Sequence, residues 1–422
     1  MDELKYTFLL GAATAAHQVE GNNFNSDAWV EENLPNSSYD EPSLDAVDHY
    51  HKYEEDIKML AESGCNAYRF SIEWARIEPE CGRWDEKEIE HYRKVLLCCK
   101  ENQLVPIVTL FHFTSPKWLI EQGGWERPQV VIYFARYCRK VAEELGYLME
   151  YVCTMNEANM RLQIKEILEG LGKKCGQAPQ IGMNLKQKDA DRELAEAFGL
   201  TYPELPATFV SPCTPKGDEI VMQAHKAARD AVKKACPSVQ VGLTLTVHDI
   251  QALPGGEYFA EEEWDKEFLH YLPCLVEDDF LGVQCYTRKR FDCNGLIENE
   301  RDMATTQMGY EDYPAAIGNV LRKIAQSYHG IMIVTENGIA TENDDRRIAF
   351  MEEAVRGVAD CRKEGIPVKG YMYWSLFDNF EWQKGYSMTF GLIEVDRKTQ
   401  RRFPKKSLSY LGSLLKQKRF NS

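Results

Sequence analysis

The chain has 422 residues, 44% hydrophobic and 27% charged, with 50 Lys and Arg against 66 Asp and Glu for a formal net charge of −16. This is the composition of an ordinary globular protein long enough to bury a large core, and the acidic balance argues against nucleic acid or an anionic membrane as partner. No run approaches the ~18 apolar residues of a membrane span, and thirteen scattered cysteines without a C-x-x-C pair exclude a disulfide framework and favour reduced thiols in a cytoplasm.

The first element is a nearly apolar run, Phe8 to Ala16, with small residues of the A-x-A kind. A secretion signal would carry a positive n-region. Here MDELKYT precedes the run, and Asp2 and Glu3 outweigh Lys5, so a folded strand is the favoured reading. Short apolar strands then alternate with amphipathic stretches. The strands are expected at Phe8–Ala13, Ala67–Ile72, Val105–Phe111, Val152–Met155, Val241–Val247, Phe280–Tyr286, Ile331–Thr335 and Gly370–Trp374. Asp45–Ser63 aligns Tyr50, Tyr53, Ile57, Leu60 and Ala61 on one stripe, with Gly64 as a stop. Gln129–Gly146, Asp218–Ala235, Pro314–His329 and Arg346–Gly365 have the same helical pattern.

Alternating apolar strands and helices predict a parallel sheet covered by helices. Eight repeats without a linker predict a single α/β domain over residues 1–422, a (β/α)8 barrel with extended βα loops on its catalytic face. A doubly wound open sheet is the alternative. No G-x-G-x-x-G follows an early strand, and Gly170 to Lys174 lacks the spacing and hydroxyl of a phosphate loop. Polar or aromatic residues lie in or just after the strands: Gln18, Arg69, His112, Asn156 with Glu157, His248, Tyr286, Glu336 and Trp374. In a barrel all eight strand ends converge on one face; in an open sheet they do not.

Two strands run into a glutamate, VCTMNE at Glu157 and IVTENG at Glu336. Either alone is weak, since Asn-Gly is a turn signal. Two carboxylates facing one cleft, however, can divide acid and nucleophile roles. A metal-dependent barrel enzyme has only His49-x-His51 and His248-Asp249 to support it, and neither supplies three ligands at zincin spacing.

The stretches FLLGAATAAHQVEG, AYRFSIEWARI, TLFHFTSPKWL, TMNEAN, DFLGVQCYT, IVTENG and GYMYWSLFDNFEWQKGYSMTFGLIEVD resemble glycoside hydrolase family 1, the β-glucosidase family. The match runs from residue 8 to about residue 396. The resemblance implies a retaining, exo-acting β-glycosidase that needs no cofactor or metal and takes a small β-glycoside or short oligosaccharide. It gives Glu157 as general acid/base and Glu336 as nucleophile, kept ionised by Arg69 and Tyr286. Gln18, His112, Asn156 and Glu381 match residues that bind sugar hydroxyls, with Asn156 at the 2-hydroxyl. Trp374 and Trp382 match aromatic walls for the apolar face of a pyranose. Phe8–Ala16 then matches the first barrel strand, and cleavage after Ala16 would open the barrel.

A 6-phosphosugar branch of the family replaces the glutamate at 381 with Ser and adds Lys and Tyr soon after. Here those positions read Glu381, Met388 and Phe390, so an unphosphorylated sugar is expected. A sugar-binding pseudo-enzyme would be expected to lose one carboxylate, and both are present. The pattern departs at Ala158 (usually Pro), Phe113 (usually Trp), Gln284 (usually Asn) and Cys285, where a second aromatic is common. It also departs over residues 160–216, where a charged segment from Lys165 to Glu193 should shape the leaving-group side, as a lid or a plain surface insertion. The sequence carries no signal for the natural aglycone or the oligomeric state.

Overall fold

A computed structural model of the chain describes residues 8–165, 188–297, 303–417 and 419–420. Eight strands form a closed, all-parallel barrel: β1 Leu9–Ala13, β2 Ala67–Ser71, β3 Val105–Thr109, β4 Tyr151–Cys153, β5 Gln240–Thr246, β6 Phe280–Gln284, β7 Ile331–Asn337 and β8 Val368–Trp374. Each pairs with its neighbour in chain order, and β8 closes on β1 through Leu9–Gly370 to Ala13–Trp374. Closure rules out the open-sheet alternative.

A helix follows each strand: α1 His49–Ser63, α2 Glu86–Glu101, α3 Gln129–Leu145, α4 Pro215–Ala235, α5 Glu257–Glu267, α6 Ala316–Ile324, α7 Asp344–Lys363 and α8 Lys406–Lys416. Local chemistry sets several boundaries. Asp85 caps α2 by accepting from the Lys87 and Glu88 amides. Thr214 caps α4 with Pro215 in its first turn, so that helix starts before the expected Asp218. Asn343 caps α7, again ahead of the expected start. Gly64, at φ 107°, ends α1 in the left-handed region, where a side chain is strained.

Strand alternation divides the core in two. Outward residues such as Leu10, Tyr68, Val108, Leu243 and Val283 meet the helices. Inward residues such as Leu9, Ala67, Val105, Ile107, Cys153, Phe280, Ile333 and Met372 fill the barrel. The inner layer is tight: a Cβ on Gly11 would lie 1.8 Å from the Ala67 carbonyl oxygen.

Phe8 is buried and stacks on Phe420 at 3.9 Å, so the opening run is part of the core. Its strand ends at Ala13, and Ala16–Val19 turns into a short helix with the Ala16 amide on Ser71 Oγ at 2.7 Å. β3 stops short of Phe111 and β6 short of Tyr286, because the chain leaves the ladder there to form the rim loops.

Most of the charged segment from Lys165 to Glu193 lies outside the described residues. Beyond it, Lys188–Ala197 is helical, Glu193 accepts from Asn36 Nδ2 at 2.6 Å, and Phe209 is buried against Phe111 and Trp125. The twelve cysteines among the described residues are all free. No helix among those residues is long and apolar enough to cross a membrane.

Candidate active site

At the C-terminal end of the barrel, inward-facing parity selects Arg69 on β2, Thr109 on β3, Gln284 on β6 and Trp374 on β8. On β7 the same count would select Thr335 rather than Glu336. The register shifts there: Val334 pairs with Val283 and Glu336 with Gln284, leaving Thr335 as a bulge. One extra residue reverses the facing of the rest of the strand, so Glu336 turns inward. Gly338 lets the bulged end lie close to β8, since a Cβ there would sit 2.0 Å from the Trp374 carbonyl oxygen.

Glu336 is buried and surrounded by donors. Arg69 Nη1 and Gln284 Nε2 reach Oε1 at 2.5 and 3.0 Å, and the Tyr286 hydroxyl reaches Oε2 at 2.5 Å. Arg69 is fully buried and held by Thr109 Oγ1 at 3.1 Å, the Thr335 carbonyl at 3.2 Å and Asn156 Oδ1 at 2.6 Å. It is thus no surface ion pair.

Asn156 and Glu157 follow β4 and are pinned from both sides. The Asn156 amide donates to the Phe111 carbonyl, while the Glu157 amide donates to Thr244 Oγ1 and that of Ala158 to the Thr244 carbonyl. Glu157 sits at φ 41°, Phe113 at 72° and Trp382 at 48°. Left-handed backbone is costly for such residues and persists where the surroundings enforce it, often at functional sites.

The two carboxyls differ in environment. Burial pushes Glu157 well up, the Glu336 charge adds to the rise, and a Thr246 hydrogen bond and Arg69 only partly oppose it. Glu336 is also raised by burial, a departure from the expectation of a simply ionised group, but Arg69, Tyr286 and Gln284 pull it back. Three donors favour the charge on Glu336, so a shared proton belongs on Glu157.

The sugar-binding set falls into two further groups. Gln18 Nε2 donates to the Phe380 carbonyl at 2.7 Å and to Glu381 Oε2 at 3.2 Å, and Gln18 Oε1 is buried without a partner. Burial, then the Glu336 charge, raise Glu381 to about 8 against hydrogen bonds from Gln18 and Trp374. His112 lies near-parallel to Trp374 at 5.8 Å and to Trp382 at 6.4 Å. Burial, then Arg69, hold its pKa well below the usual range, so it is neutral, with Nδ1 buried and unpartnered. Trp382 also stacks on His17 and leans on Phe113. Unpartnered polar atoms beside aromatic faces form a surface that a polyhydroxylated ring can satisfy.

At the positions where the 6-phosphosugar branch carries Lys and Tyr, Met388 packs against the inner-barrel cluster and Phe390 is buried in it, its ring edge-on to Tyr286 at 6.1 Å. The residues raised for a metal are engaged elsewhere: His49 with Asp56 at 2.8 Å, His51 with Asp48 at 2.6 Å and His248 with Glu267 at 2.7 Å. Sequence reasoning missed Thr109, Thr244 and Thr246, which orient the charged groups, and Tyr310, whose ring lies 6.4 Å from Tyr286. Alternation in LTLT on β5 marks the two threonines; no pattern marks Tyr310.

Residues 1–171 and 268–420 match the family model described as "Glycosyl hydrolase family 1". β-Glucosidase A of Thermotoga maritima is 29% identical, over 97% of each chain. A 6-phospho-β-galactosidase 1 of Streptococcus pneumoniae is 26% identical, over 96% of this chain and 97% of its own. The crystal structure of β-glycosidase BGL167 superposes with a TM-score of 0.89 at 42% identity, covering 98% of this chain and 97% of that one.

Proposed function

This chain belongs to glycosyl hydrolase family 1 and is a glycosidase, and on that footing we propose that it is a retaining, exo-acting β-glucosidase acting on unphosphorylated terminal β-D-glucosyl residues, with galactosides or fucosides as further substrates. The observation that carries the reading is the pairing of two buried carboxyls in unequal surroundings, one ringed by donors and one raised by its neighbour's charge. Residues 1–422 act as one catalytic domain. The free thiols support a cytoplasmic setting.

In this reading the glycone ring lies over Trp374 and Trp382, with its hydroxyls on Gln18, His112, Asn156 and Glu381. Glu336 attacks the anomeric carbon, and the bond to the leaving oxygen breaks as Glu157 delivers its proton to that oxygen. Esterification removes the Glu336 charge, and with it part of what raised Glu157. Glu157 then takes a proton from water, whose oxygen attacks the anomeric carbon and frees Glu336. Two inversions give net retention.

The apolar contact of Met388 and Phe390 and the carboxyl of Glu381 disfavour a 6-phosphate. A panel of nitrophenyl β-glucoside, β-galactoside, β-fucoside, β-mannoside and their 6-phosphates, with the product anomer followed by NMR, tests the proposal. Fast turnover of a neutral β-glycoside with the β-anomer formed first is expected. An α-anomer as first product, or preference for a phosphorylated sugar, overturns it.

A further inference from the structure

Gln284 ends β6 and is fully buried. Its Nε2 donates to Asn156 Oδ1 at 2.7 Å and to Glu336 Oε1 at 3.0 Å, which uses both of its hydrogens. Asn156 Oδ1 also accepts from Arg69 Nη2 at 2.6 Å. A guanidinium can only donate, so the Asn156 carbonyl must face Arg69 and Gln284. This fixes its amide flip and leaves Nδ2 to donate to a ligand. Gln284 Oε1, by contrast, is buried without a partner. Leucine or methionine would fill the same volume without an unmet carbonyl, so packing does not explain a glutamine here.

We propose that Gln284 is a positioning residue that ties Asn156 to Glu336, so that the group reading the sugar's 2-hydroxyl and the group attacking its anomeric carbon are held in one fixed relation. The inference rests on the roles of Asn156 and Glu336 given above. It is particular to this chain, because the family resemblance places an asparagine, one methylene shorter, at this position. A shorter amide on the same backbone would carry its donor one methylene further from these two acceptors.

The test compares Gln284→Met with the parent enzyme on a nitrophenyl β-glucoside and on its 2-deoxy analogue. On the glucoside, kcat/KM is expected to fall about 30-fold, mostly in kcat, as for loss of one hydrogen bond to a charged group. On the 2-deoxy substrate the loss is several-fold smaller, because the contact that Asn156 makes is already absent. With both substrates the acid limb of the pH profile moves upward, because the Glu336 carboxylate loses a donor. Equal losses on the two substrates with an unmoved acid limb overturn the proposal. If Gln284→Met does not fold, the same ratio is read on Gln284→Asn: a larger loss on the glucoside supports the proposal, and equal losses overturn it. A fully active Glu336→Ala would instead overturn the nucleophile assignment, so the two failures are distinguishable.

Discussion

The Tyr286 hydroxyl donates to Glu336 Oε2 at 2.5 Å, on the opposite carboxylate oxygen from the one held by Arg69. The contact lowers the Glu336 pKa against the upward push of burial. Tyr286→Phe removes a donor to the charged form, and as the proposed nucleophile Glu336 must be charged to attack. The acid limb of the kcat/KM profile should therefore move to higher pH, and kcat should fall about 10²-fold, the order expected for one preorganised donor. A pH–rate series on one aryl glucoside checks both; an unmoved acid limb would show that the hydroxyl does not support the nucleophile.

Glu157 owes part of its raised pKa to the neighbouring Glu336 charge. Glu157→Ala should cost about 10²–10⁴-fold on alkyl glucosides and far less on dinitrophenyl glucoside, whose leaving group needs no proton. Added azide should then give the β-glycosyl azide, because the glycosyl-enzyme is attacked from the face that Glu157 vacated. In Glu336→Gln the like charge is gone, and the Glu157 carboxyl should titrate lower than in the parent, as followed by carbon NMR. An equal loss on good and poor leaving groups would remove Glu157 from the acid role.

Glu381 carries a folded-state pKa of about 8, raised first by burial. Its unfolded value is that of an ordinary glutamate, about 4.3. Between these values the folded state holds one more proton than the unfolded chain, so stability falls as pH rises across that window. Glu381→Gln removes the titration. Its Tm should lose less than the parent's between pH 5 and 8, and the two curves should run parallel below pH 4. Parallel curves across the whole range would refute the burial argument.

Met388 and Phe390 stand where the 6-phosphosugar branch carries its cation and its tyrosine, and Glu381, its pKa raised by burial to about 8, offers no cation either, so a 6-phosphate would be desolvated without a counter-charge. Neutral β-glucoside should be preferred over its 6-phosphate by at least about 10²-fold, since burying a charge without a partner costs several kcal/mol. Competition between the two substrates in one reaction measures the ratio directly. Comparable rates would move the chain to the phosphoglycosidase branch, to which one of its relatives is assigned by name.

The barrel was legible because parallel strands buried on both faces read as continuous apolar runs. All eight strands lie where the sequence places them, with ends shifted by a few residues where the ladder gives way to the loops. Helices α2, α5 and α8 are absent from the expected set; in α5, EYFAEEEWDKE, charge dilutes the apolar stripe, whereas α2 and α8 are as amphipathic as α1 and are legible in principle. The ten residues expected at the site lie at one end of the barrel; the resemblance names all ten, whereas strand parity by itself selects only Arg69 and Trp374 among them, the others save Glu336 lying beyond the strand ends. At Glu336 parity misleads. Parity alone turns Thr335 inward, and only the β7 bulge substitutes Glu336. A bulge leaves no mark on hydrophobic alternation. In the sequence Gln284 is a mere departure from asparagine, because a bridge between Asn156 and Glu336 depends on three strands meeting, which no local pattern encodes.

The central claim is that Glu336 forms a covalent bond to the sugar, and trapping that bond tests it most directly. In 2,4-dinitrophenyl 2-deoxy-2-fluoro-β-D-glucoside the fluorine slows both steps, while the good leaving group keeps the first one accessible. The enzyme should lose activity with time and gain the mass of one fluoroglucosyl group, and peptide sequencing should place that group on Glu336. A label on another residue, or inactivation without any added mass, would contradict the account.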